Sequence, residues 1–445
     1  MEKLNLPHIH LTPDDIEYEL LQSRDEGKIV DESEFHALLN SGVPDDEFQK
    51  PASDLLDRMK KLPVHDDYPY VEPSGLDEIK KQRGTPLELP SPEISEKSLA
   101  NKIHGAWLGR CCGCLLGKPV EGWHRSRIEG YLRDTDQFPL SDYFSSNASR
   151  EIRKKYDIPH ENHFIESVTG MPQDDDLNYT VAGLCILEKH GLKFTPANVA
   201  RFWLGHIPVM STFTAERVAI RNFLMDISPP ESATFRNPYR EWIGAQIRAD
   251  FYGYATPGNP DLAAELAFRE ASISHVKNGI YGAMWSAAMI STAFTTGDLK
   301  IIILSGLARL PQKSRFVESV KKVMEWHKDG LGYEEAVNRI HEIWNEKSLY
   351  GWCHVISNAM IVTVALLWGE GDFEKSVCRA VQPGFDTDCN GATAGSILGV
   401  IHGSENIPEK WTSPLNDTLE TCIVPYTKVK ISDLAKRTVK VITSI

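Results

Sequence analysis

Two acidic clusters, each directly before an apolar helical pattern, contain the side chains of this sequence that are best suited to chemistry. The first is Asp174-Asp175-Asp176 and the second is Asp386-Thr387-Asp388. One Asp at a helix start is an ordinary N-cap, stabilised by the free amides and the helix dipole. Capping accounts for one carboxylate per helix, whereas the two clusters together hold five. The excess indicates a role beyond capping.

Carboxylates at two adjoining helix starts would repel one another unless cations lay between them or some of them stayed protonated. Oxygen ligands, without histidine and without clustered thiolates, favour Mg²⁺, Mn²⁺ or Ca²⁺ over zinc. We therefore predict that the two segments converge on a divalent metal site, with enough carboxylates for two ions. Solvated caps on the protein surface are the alternative interpretation.

The sequence matches three well-known motifs only in part. The segment from Asp386 resembles the first half of an EF-hand loop, but Ile397 occupies the position that requires a bidentate Glu. Gly117-Lys118 resembles the end of a phosphate-binding loop, which needs Ser or Thr where this chain has Pro119. The cysteines at 111, 112 and 114 have no partner pair at zinc-finger spacing, which favours small packing residues over a zinc site.

Helices are the elements that must position these side chains. From Leu99 onward apolar residues recur at helical spacing, and Ile301 to Ile303 is the only β-like run. We predict a compact, all-α, multi-helix body over residues 99–445. Two segments of it carry a glycine at every fourth residue, namely Gly105, Gly109, Gly113 and Gly117, and Gly391, Gly395, Gly399 and Gly403. Because such stripes allow close backbone approach, they predict central, buried helices beside the acidic clusters.

Residues 1–98 form a compositionally distinct N-terminal extension. They hold ten of the 26 prolines, and residues 1–100 carry 11 Lys or Arg against 23 Asp or Glu. Most of the net charge of -14 therefore lies there. We predict a few helical turns with some mobile stretches. A solvated regulatory tail and an arm that occludes a basic partner both agree with this charge.

Several classes of protein are disfavoured by the composition. The chain has no basic excess to neutralise phosphates, which argues against nucleic acid or an anionic membrane as a partner. The longest apolar run, residues 352–368, contains polar residues and predicts a core helix rather than a membrane span. The chain start lacks the apolar segment of a secretory signal, and eight cysteines without scaffold-like spacing favour a reducing cytoplasm.

Four motifs are specific when they are taken together and in order. They read GAWLGRCCGCLLGKPVE at 105–121, DDDLNYTVAGL at 174–184, HVKNGIYGAMWSAAMISTAF at 275–294 and GFDTDCNGATAGSILGVIHG at 384–403. In these motifs the chain, over about residues 99–411, resembles the ADP-ribosylglycohydrolase family, which includes the dinitrogenase-reductase-activating glycohydrolases. The resemblance implies an all-α bundle with two Mg²⁺ or Mn²⁺ ions in a central cleft. It also implies hydrolysis of the glycosidic bond between ADP-ribose and an acceptor.

The resemblance further implies roles for individual positions. It makes Asp175, Asp176, Asp386 and Asp388 metal ligands, and Asp174 is a fifth candidate ligand because it belongs to the first cluster. Glu121 would act on water or the ribose, and Glu121, Asp175 and Asp386 are the candidate catalytic carboxylates, whose ranking stays open. Four positions would contact the substrate, with helix-start amides receiving the diphosphate: His275, Asn278, Gly279 and Gly384.

Four positions depart from the family pattern. Thr is common where this chain has Asp174 in the first cluster, Leu177 after it and Cys389 after Asp388, and Asp is frequent where it has Cys114. Such changes would alter the metal preference or the substrate.

The sequence thus predicts a metal-dependent hydrolase that acts on an ADP-ribose conjugate, with ADP-ribosylated protein arginine as the expected substrate. An immunity role is included in this expectation, in which residues 1–98 help to block an ADP-ribosyltransferase toxin. Two alternatives stay open. One is a hydrolase of a small N-ribosylated metabolite, and the other is a binding protein whose acidic extension occludes a partner.

Overall fold

The computed structural model describes residue 6 and residues 8–90, 94–158 and 163–444, and these residues form mainly helices. The extension holds α1 Pro13–Asp25, α2 Glu32–Leu39, α3 Asp45–Met59 and α4 Leu76–Gln82. The first half of the body holds α5 Glu96–Gly117, α6 Arg125–Asp134, α7 Arg150–Lys155, α8 Asp175–His190, α9 Pro196–His206, α10 Thr214–Leu224, α11 Gly244–Arg248, α12 Asp250–Tyr254, α13 Pro260–Ala271 and α14 Lys277–Ala293. The second half holds α15 Leu299–Leu307, α16 Arg315–Lys328, α17 Tyr333–Ile343, α18 Leu349–Cys353, α19 Val355–Gly369, α20 Phe373–Val381, α21 Thr387–His402, α22 Glu409–Thr412 and α23 Ile431–Ser444. The predicted all-α class is confirmed.

One small sheet interrupts the helices. Strand β1, Thr418–Glu420, pairs antiparallel with β2, Lys428–Lys430. Ile301 to Ile303, the β-like run of the sequence, lie inside α15, in agreement with the predicted all-α body. Asp298 caps that helix by accepting hydrogen bonds from the backbone N–H groups of Lys300 and Ile301 at 2.9 and 3.1 Å. Cap and burial together outweigh the β propensity of the isoleucines.

The extension is more ordered than its composition indicates. Ile16, Leu20, Phe35 and Leu55 pack together in a small apolar cluster of its own, and Thr12 and Asp15 form a reciprocal capping box at the start of α1. Residues 1–5, 7 and 91–93 of the predicted extension lie outside the described residues. The predicted boundary after residue 98 falls in the first turn of α5, and it stays a prediction.

Ion pairs dock the extension on the body. Arg240 of the body contacts Glu19 at 2.6 Å and Glu26 at 2.7 Å. Arg315 contacts Glu72 of the extension and Glu241 of the body, both at 2.8 Å. Much of the acidic charge that distinguishes the extension therefore faces arginines of the same chain.

The two glycine stripes pack against each other as the central helix pair α5 and α21. A methyl group built on Gly109 would lie 2.1 Å from the carbonyl oxygen of Gly395, and one built on Gly395 would lie 2.0 Å from that of Gly109. Gly105 faces Gly399 and Gly113 faces Gly391 in the same way. Each glycine costs up to about 1 kcal/mol of helix propensity relative to Ala, which the close backbone packing must offset. This contact sets the register of the two helices.

Among the described residues, no helix combines the length and the apolar composition that are required to cross a membrane. Helix α19 covers most of the longest apolar run, and every one of its residues is buried. It is the core helix that the sequence predicts.

Candidate active site

The first acidic cluster forms the start of α8. Asp174 is the N-cap residue, and its Oδ1 accepts a hydrogen bond from the backbone N–H of Asp176 at 2.9 Å. Its Oδ2 accepts a hydrogen bond from Nζ of Lys118 at 2.7 Å. Asp174 thus performs the capping that an ordinary helix needs. Asp175 and Asp176 are carboxylates in excess of that requirement.

The second cluster forms the start of α21, where the glycine contact ends. Asp386 occupies the N-cap position, but its side chain caps no backbone amide. The hydroxyl of Thr387 donates to the carbonyl oxygen of Gly117 at 2.9 Å. A methyl group on Gly117 would lie 2.3 Å from the backbone nitrogen of Asp388. The close approach of α5 therefore fixes where Asp388 is placed.

The two clusters meet beside the end of α5. Donor atoms of four buried residues lie within 4.8 Å of one another in a first donor group, Cys114, Asp174, Asp176 and Asp388. A second donor group at the same spacing consists of Asp386, Asp388 and Cys389. The groups share Asp388, so the distant segments converge as the sequence predicts.

Both donor groups adjoin a cleft of about 530 Å³. Its lining includes six carboxylates, from Glu121, Asp174, Asp175, Glu216, Asp386 and Asp388, with Lys118 as the basic side chain among the described lining residues. A short 3₁₀ turn, Lys118–Val120, follows α5 and delivers Glu121 to the cleft. Met210, Phe213 and Trp352 add apolar surface to the lining. The cleft therefore offers both charged and apolar surface.

Mutual repulsion and burial govern the acidity of these carboxyls. Burial, with Asp174 and other neighbours, raises the pKa of Asp388 to about 6. The charge of Asp388, followed by burial, raises the pKa of Glu121 well above its ordinary value. Burial and the neighbouring charges of Asp174 and Asp388 likewise raise the pKa of Asp175. Protons or cations must therefore stabilise this cluster near neutral pH.

Two basic side chains already supply part of that compensation. Burial opposes ionisation of Asp174, but the Lys118 ammonium outweighs it and lowers the pKa of Asp174. Arg110 is fully buried and contacts Asp176 at 2.9 Å and Asp250 at 2.5 Å. Because these cations serve the first donor group, the carboxylates of Asp386 and Asp388 receive less compensation.

Two buried carboxylate oxygens indicate whether a divalent ion would fit at this site. Asp176 Oδ2 and Asp388 Oδ1 are buried and have no hydrogen-bond partner among the described residues. An unsatisfied buried polar atom costs about 1–3 kcal/mol, and more if it is charged. Asp176 and Asp388 both belong to the first donor group, where a bound cation would offset the charge of these carboxylates. The residues present therefore fit a divalent ion.

The donor chemistry differs from the sequence-based expectation in one respect. Each donor group also contains one sulfur atom, from Cys114 or Cys389, in addition to the carboxylate oxygens on which the expectation of Mg²⁺, Mn²⁺ or Ca²⁺ rests. Sequence spacing could not show it, since Cys114 lies on α5 and Cys389 on α21. Cys114 packs in the interior, as predicted, but against the carboxylates.

Three of the predicted substrate contacts lie elsewhere. His275 is fully buried, and its Nδ1 shares a hydrogen bond with the Ser274 hydroxyl at 2.8 Å. Asn278 donates to Glu241 at 2.8 Å, and a methyl group on Gly279 would lie 2.6 Å from the carbonyl oxygen of Arg240. None of the three lines the cleft. The start of α14 packs against the segment that receives the extension, so its groups serve that contact instead.

Gly384 also lies outside the lining of the cleft. It has a φ of +82° in the turn before α21, which explains the glycine. A methyl group there would lie 3.0 Å from the backbone nitrogen of Arg125 and 2.5 Å from Glu346 Oε2. Gly384 thus fixes the turn that leads to Asp386, and its predicted substrate contact stays a prediction.

Sequence reasoning missed three residues of the site: Lys118, Arg110 and Glu216. A lysine and an arginine within an otherwise small and apolar helix end are a signal that could have been used, because buried charges are nearly always paired. Glu216 lies near the start of α10 and is buried against Arg248, with which it forms an ion pair. Nothing in its local sequence distinguishes it from a surface Glu.

Comparison with known proteins gives three findings. The family model described as ADP-ribosylglycohydrolase matches residues 95–444. No curated protein matches the chain. A solved structure titled "ADP-ribosylglycohydrolase-related protein complex" is similar with 18% sequence identity and a TM-score of 0.46, over 78% of this chain and 99% of that chain.

Proposed function

Since the chain belongs to the ADP-ribosylglycohydrolase family, we propose that its acidic cleft hydrolyses the glycosidic bond between ADP-ribose and an acceptor with the help of bound divalent ions. One observation carries the proposal. The starts of α8 and α21 place Asp176 and Asp388 together with unpartnered, buried carboxylate oxygens beside an open cleft.

The metal ligands in this proposal come from the two donor groups. Asp174, Asp176 and Asp388 would serve one position and Asp386 with Asp388 the other, while Asp175 faces the cleft beside them. Two groups that share one carboxylate support two ions, Mg²⁺ or Mn²⁺ in the original expectation. When bound, a divalent ion orients sugar hydroxyls and lowers the pKa of a coordinated water.

Glu121 is our candidate for proton transfer. It lies in the cleft lining, and the charge of Asp388, followed by burial, raises the pKa of the Glu121 carboxyl group, which favours the protonated form that can donate a proton. Asp175 and Asp386 also line the cleft and are the other candidates. Met210, Phe213 and Trp352 supply apolar surface in the lining against which a substrate can pack.

The charge of the cleft supports a cationic acceptor. Six carboxylates with Lys118 as their basic neighbour favour a guanidinium over a neutral serine hydroxyl. We therefore propose ADP-ribosylated protein arginine as the substrate. A small N-ribosylated metabolite is the second candidate, because Asp174, Cys114 and Cys389 depart from the family pattern. A panel of ADP-ribosyl-arginine, ADP-ribosyl-serine and simple N-ribosides separates these substrates.

The immunity role stays a prediction, and so does a location in the reducing cytoplasm. An arm that blocks a toxin needs free acidic groups, but Glu19, Glu26 and Glu72 pair with arginines of the body. All eight cysteines are unpaired thiols, which agrees with a reducing compartment. Mixing the full chain with an ADP-ribosyltransferase tests the first prediction, because blocking requires inhibition before any ADP-ribose is transferred.

Release of ADP-ribose from modified protein in the presence of divalent ions tests the main proposal. Asp388→Asn removes the carboxylate shared by both donor groups, and we expect a loss of at least about a hundredfold in turnover. Asp372→Asn is the matched control, because Asp372 caps α20 outside the cleft and Asn caps equally well. Full turnover by Asp388→Asn with an unchanged helical signal would contradict the role of Asp388.

A further inference from the structure

Three thiols surround the carboxylates of the cleft. Cys114 and Cys389 belong to the first and second donor groups, respectively. The sulfur of Cys353 lies 3.9 Å from Asp386 Oδ2 and also lines the cleft. These cysteines come from α5, α21 and α18, so they converge on the acids from three elements of the fold.

The spacing of the donor atoms agrees with direct coordination. A metal ion binds sulfur at about 2.3 Å and carboxylate oxygen at about 2.1 Å, so two donors on one ion lie at most about 4.4 Å apart. The donor atoms in each group already lie within 4.8 Å of one another. Small side-chain adjustments are therefore sufficient for a sulfur and two carboxylates to bind the same ion.

The second donor group has the stronger need for a cation. Lys118 contacts Asp174 and Arg110 contacts Asp176, so the first donor group has basic partners. Asp388, whose Oδ1 has no hydrogen-bond partner among the described residues, belongs to both groups, and the Asp386 side chain caps no amide. An ion at Asp386, Asp388 and Cys389 would therefore gain the most from coordination.

Packing alone is the competing explanation for the thiols. A buried cysteine behaves as a small apolar residue, and Cys185 illustrates it by lying against Arg437 near Glu188, away from the cleft. Apolar packing would be served as well by Ala or Val. Packing does not account for the polar contacts of the two thiols, because Cys114 hydrogen-bonds to Asp174 and Cys389 to Asp386, which places each sulfur among the carboxylates of its donor group.

We propose that Cys389, with Cys114 at the adjoining position, binds the divalent ion as a thiolate beside the carboxylates, so that the centre prefers a thiophilic ion such as Zn²⁺ or Co²⁺ over Mg²⁺. Thiolates select softer ions, whereas carboxylates alone suit Mg²⁺. As the metal–sulfur bond forms, the thiol proton passes to the solvent. This inference rests on the metal-dependent site of the proposed function and specifies its ligands.

Cobalt absorption tests the proposal without an activity assay. The full chain, stripped of metal and kept reduced, is titrated with Co²⁺, and we expect a thiolate-to-cobalt charge-transfer band in the near ultraviolet. Cys389→Ser should remove most of that band and lower the affinity for Zn²⁺ by about tenfold or more. The affinity for Mg²⁺ should change by less than about threefold, because Mg²⁺ gains little from sulfur.

Two further variants make the result specific. Cys185→Ser is the control and should leave the band intact, because Cys185 lies ten residues after Asp175 on α8, which is about 15 Å along the helix. Cys114→Asp restores an oxygen donor and should shift the preference toward Mg²⁺. If Cys389→Ser fails to fold, the spectrum of the unaltered chain still decides whether a thiolate is bound.

The outcomes separate this inference from the proposed function. Stoichiometric Co²⁺ binding without a charge-transfer band would overturn thiolate coordination and leave the metal-dependent hydrolase intact. Absence of binding by Co²⁺, Zn²⁺, Mn²⁺ and Mg²⁺ would overturn both. A band that survives Cys389→Ser and Cys114→Asp would also contradict the assigned ligands.

Discussion

Buried carboxylates occur in two regions of this chain, and their partners differ. Where the extension meets the body, Glu19 and Glu26 contact Arg240, and burial alone would raise the pKa of Glu26, but Arg240 and the nearby lysines hold it well below its ordinary value. In the cleft, Asp388 faces other acids and its pKa is raised to about 6. Glu26 and Asp388 are similarly buried, but the charge of Glu26 is neutralised by Arg240, whereas the charge of Asp388 has no comparable cationic partner among the described residues. The partners of a buried acid, rather than its burial, separate structure from function.

The largest effect should come from removing the buried ion pairs between the extension and the body. Arg240→Met leaves Glu19 and Glu26 buried without their partner, and removal of one member of a buried ion pair typically costs about 3–5 kcal/mol. We expect a corresponding fall in the free energy of unfolding, measured by denaturant titration with circular dichroism. Arg58→Met is the control, because Arg58 pairs with Glu34 in an exposed contact and should cost little. Equal effects of the two changes would show that the extension contributes no buried pairing.

Changes at the two ends of the glycine contact should separate stability from site geometry. A methyl group on Gly105 would lie 2.3 Å from the carbonyl oxygen of Gly399, and one on Gly117 would lie equally close to the backbone of Asp388. Each Ala substitution should cost about 1–3 kcal/mol of stability through overpacking. We expect Gly117→Ala alone to weaken divalent-ion binding, by about tenfold in calorimetric titration. Equal binding by both variants would mean that α21 does not position Asp388 through this contact.

The smallest effect concerns pH and the metal-free protein. The pKa of Asp388 is about 6 when folded, against 3.8 for the free group. Between these values the folded state binds the extra proton, so the contribution of Asp388 becomes unfavourable as pH rises and is fully so above about pH 6. Without divalent ions, Asp388→Asn should therefore stabilise the chain at pH 7, by about 2 kcal/mol or less, and should have almost no effect near pH 4.

Thermal unfolding of the unaltered chain and of Asp388→Asn across this pH range measures the difference in stability. The titration of the histidines affects both proteins equally and cancels in this difference. Saturating divalent ions should reverse the order at pH 7, because only the unaltered chain binds them strongly. A stability difference that is independent of pH would contradict the raised pKa of Asp388.

The sequence predicted the parts of this molecule that local patterns encode. The fourfold glycine spacing predicted the buried pair α5 and α21, and two acidic helix starts predicted the convergence at Asp388. Contacts across the chain could not be predicted in this way. His275 precedes α14 and Asn278 lies in its first turn, but neither lines the cleft, because Asn278 bonds Glu241 and the start of the helix packs against Arg240. The ion pairs of Lys118, Arg110 and Glu216 likewise depend on residues far away in the sequence.

The glycine contact between α5 and α21 has a consequence for how this site tolerates change. Each step of four residues along a helix corresponds to about 6 Å, and a metal–oxygen bond is only about 2.1 Å long. A slip of a single step would carry Asp388 nearly three bond lengths from its fellow donors. The helix pair can therefore shift only in steps that are large compared with a metal–oxygen bond. An insertion within either helix should abolish the site rather than change its geometry slightly.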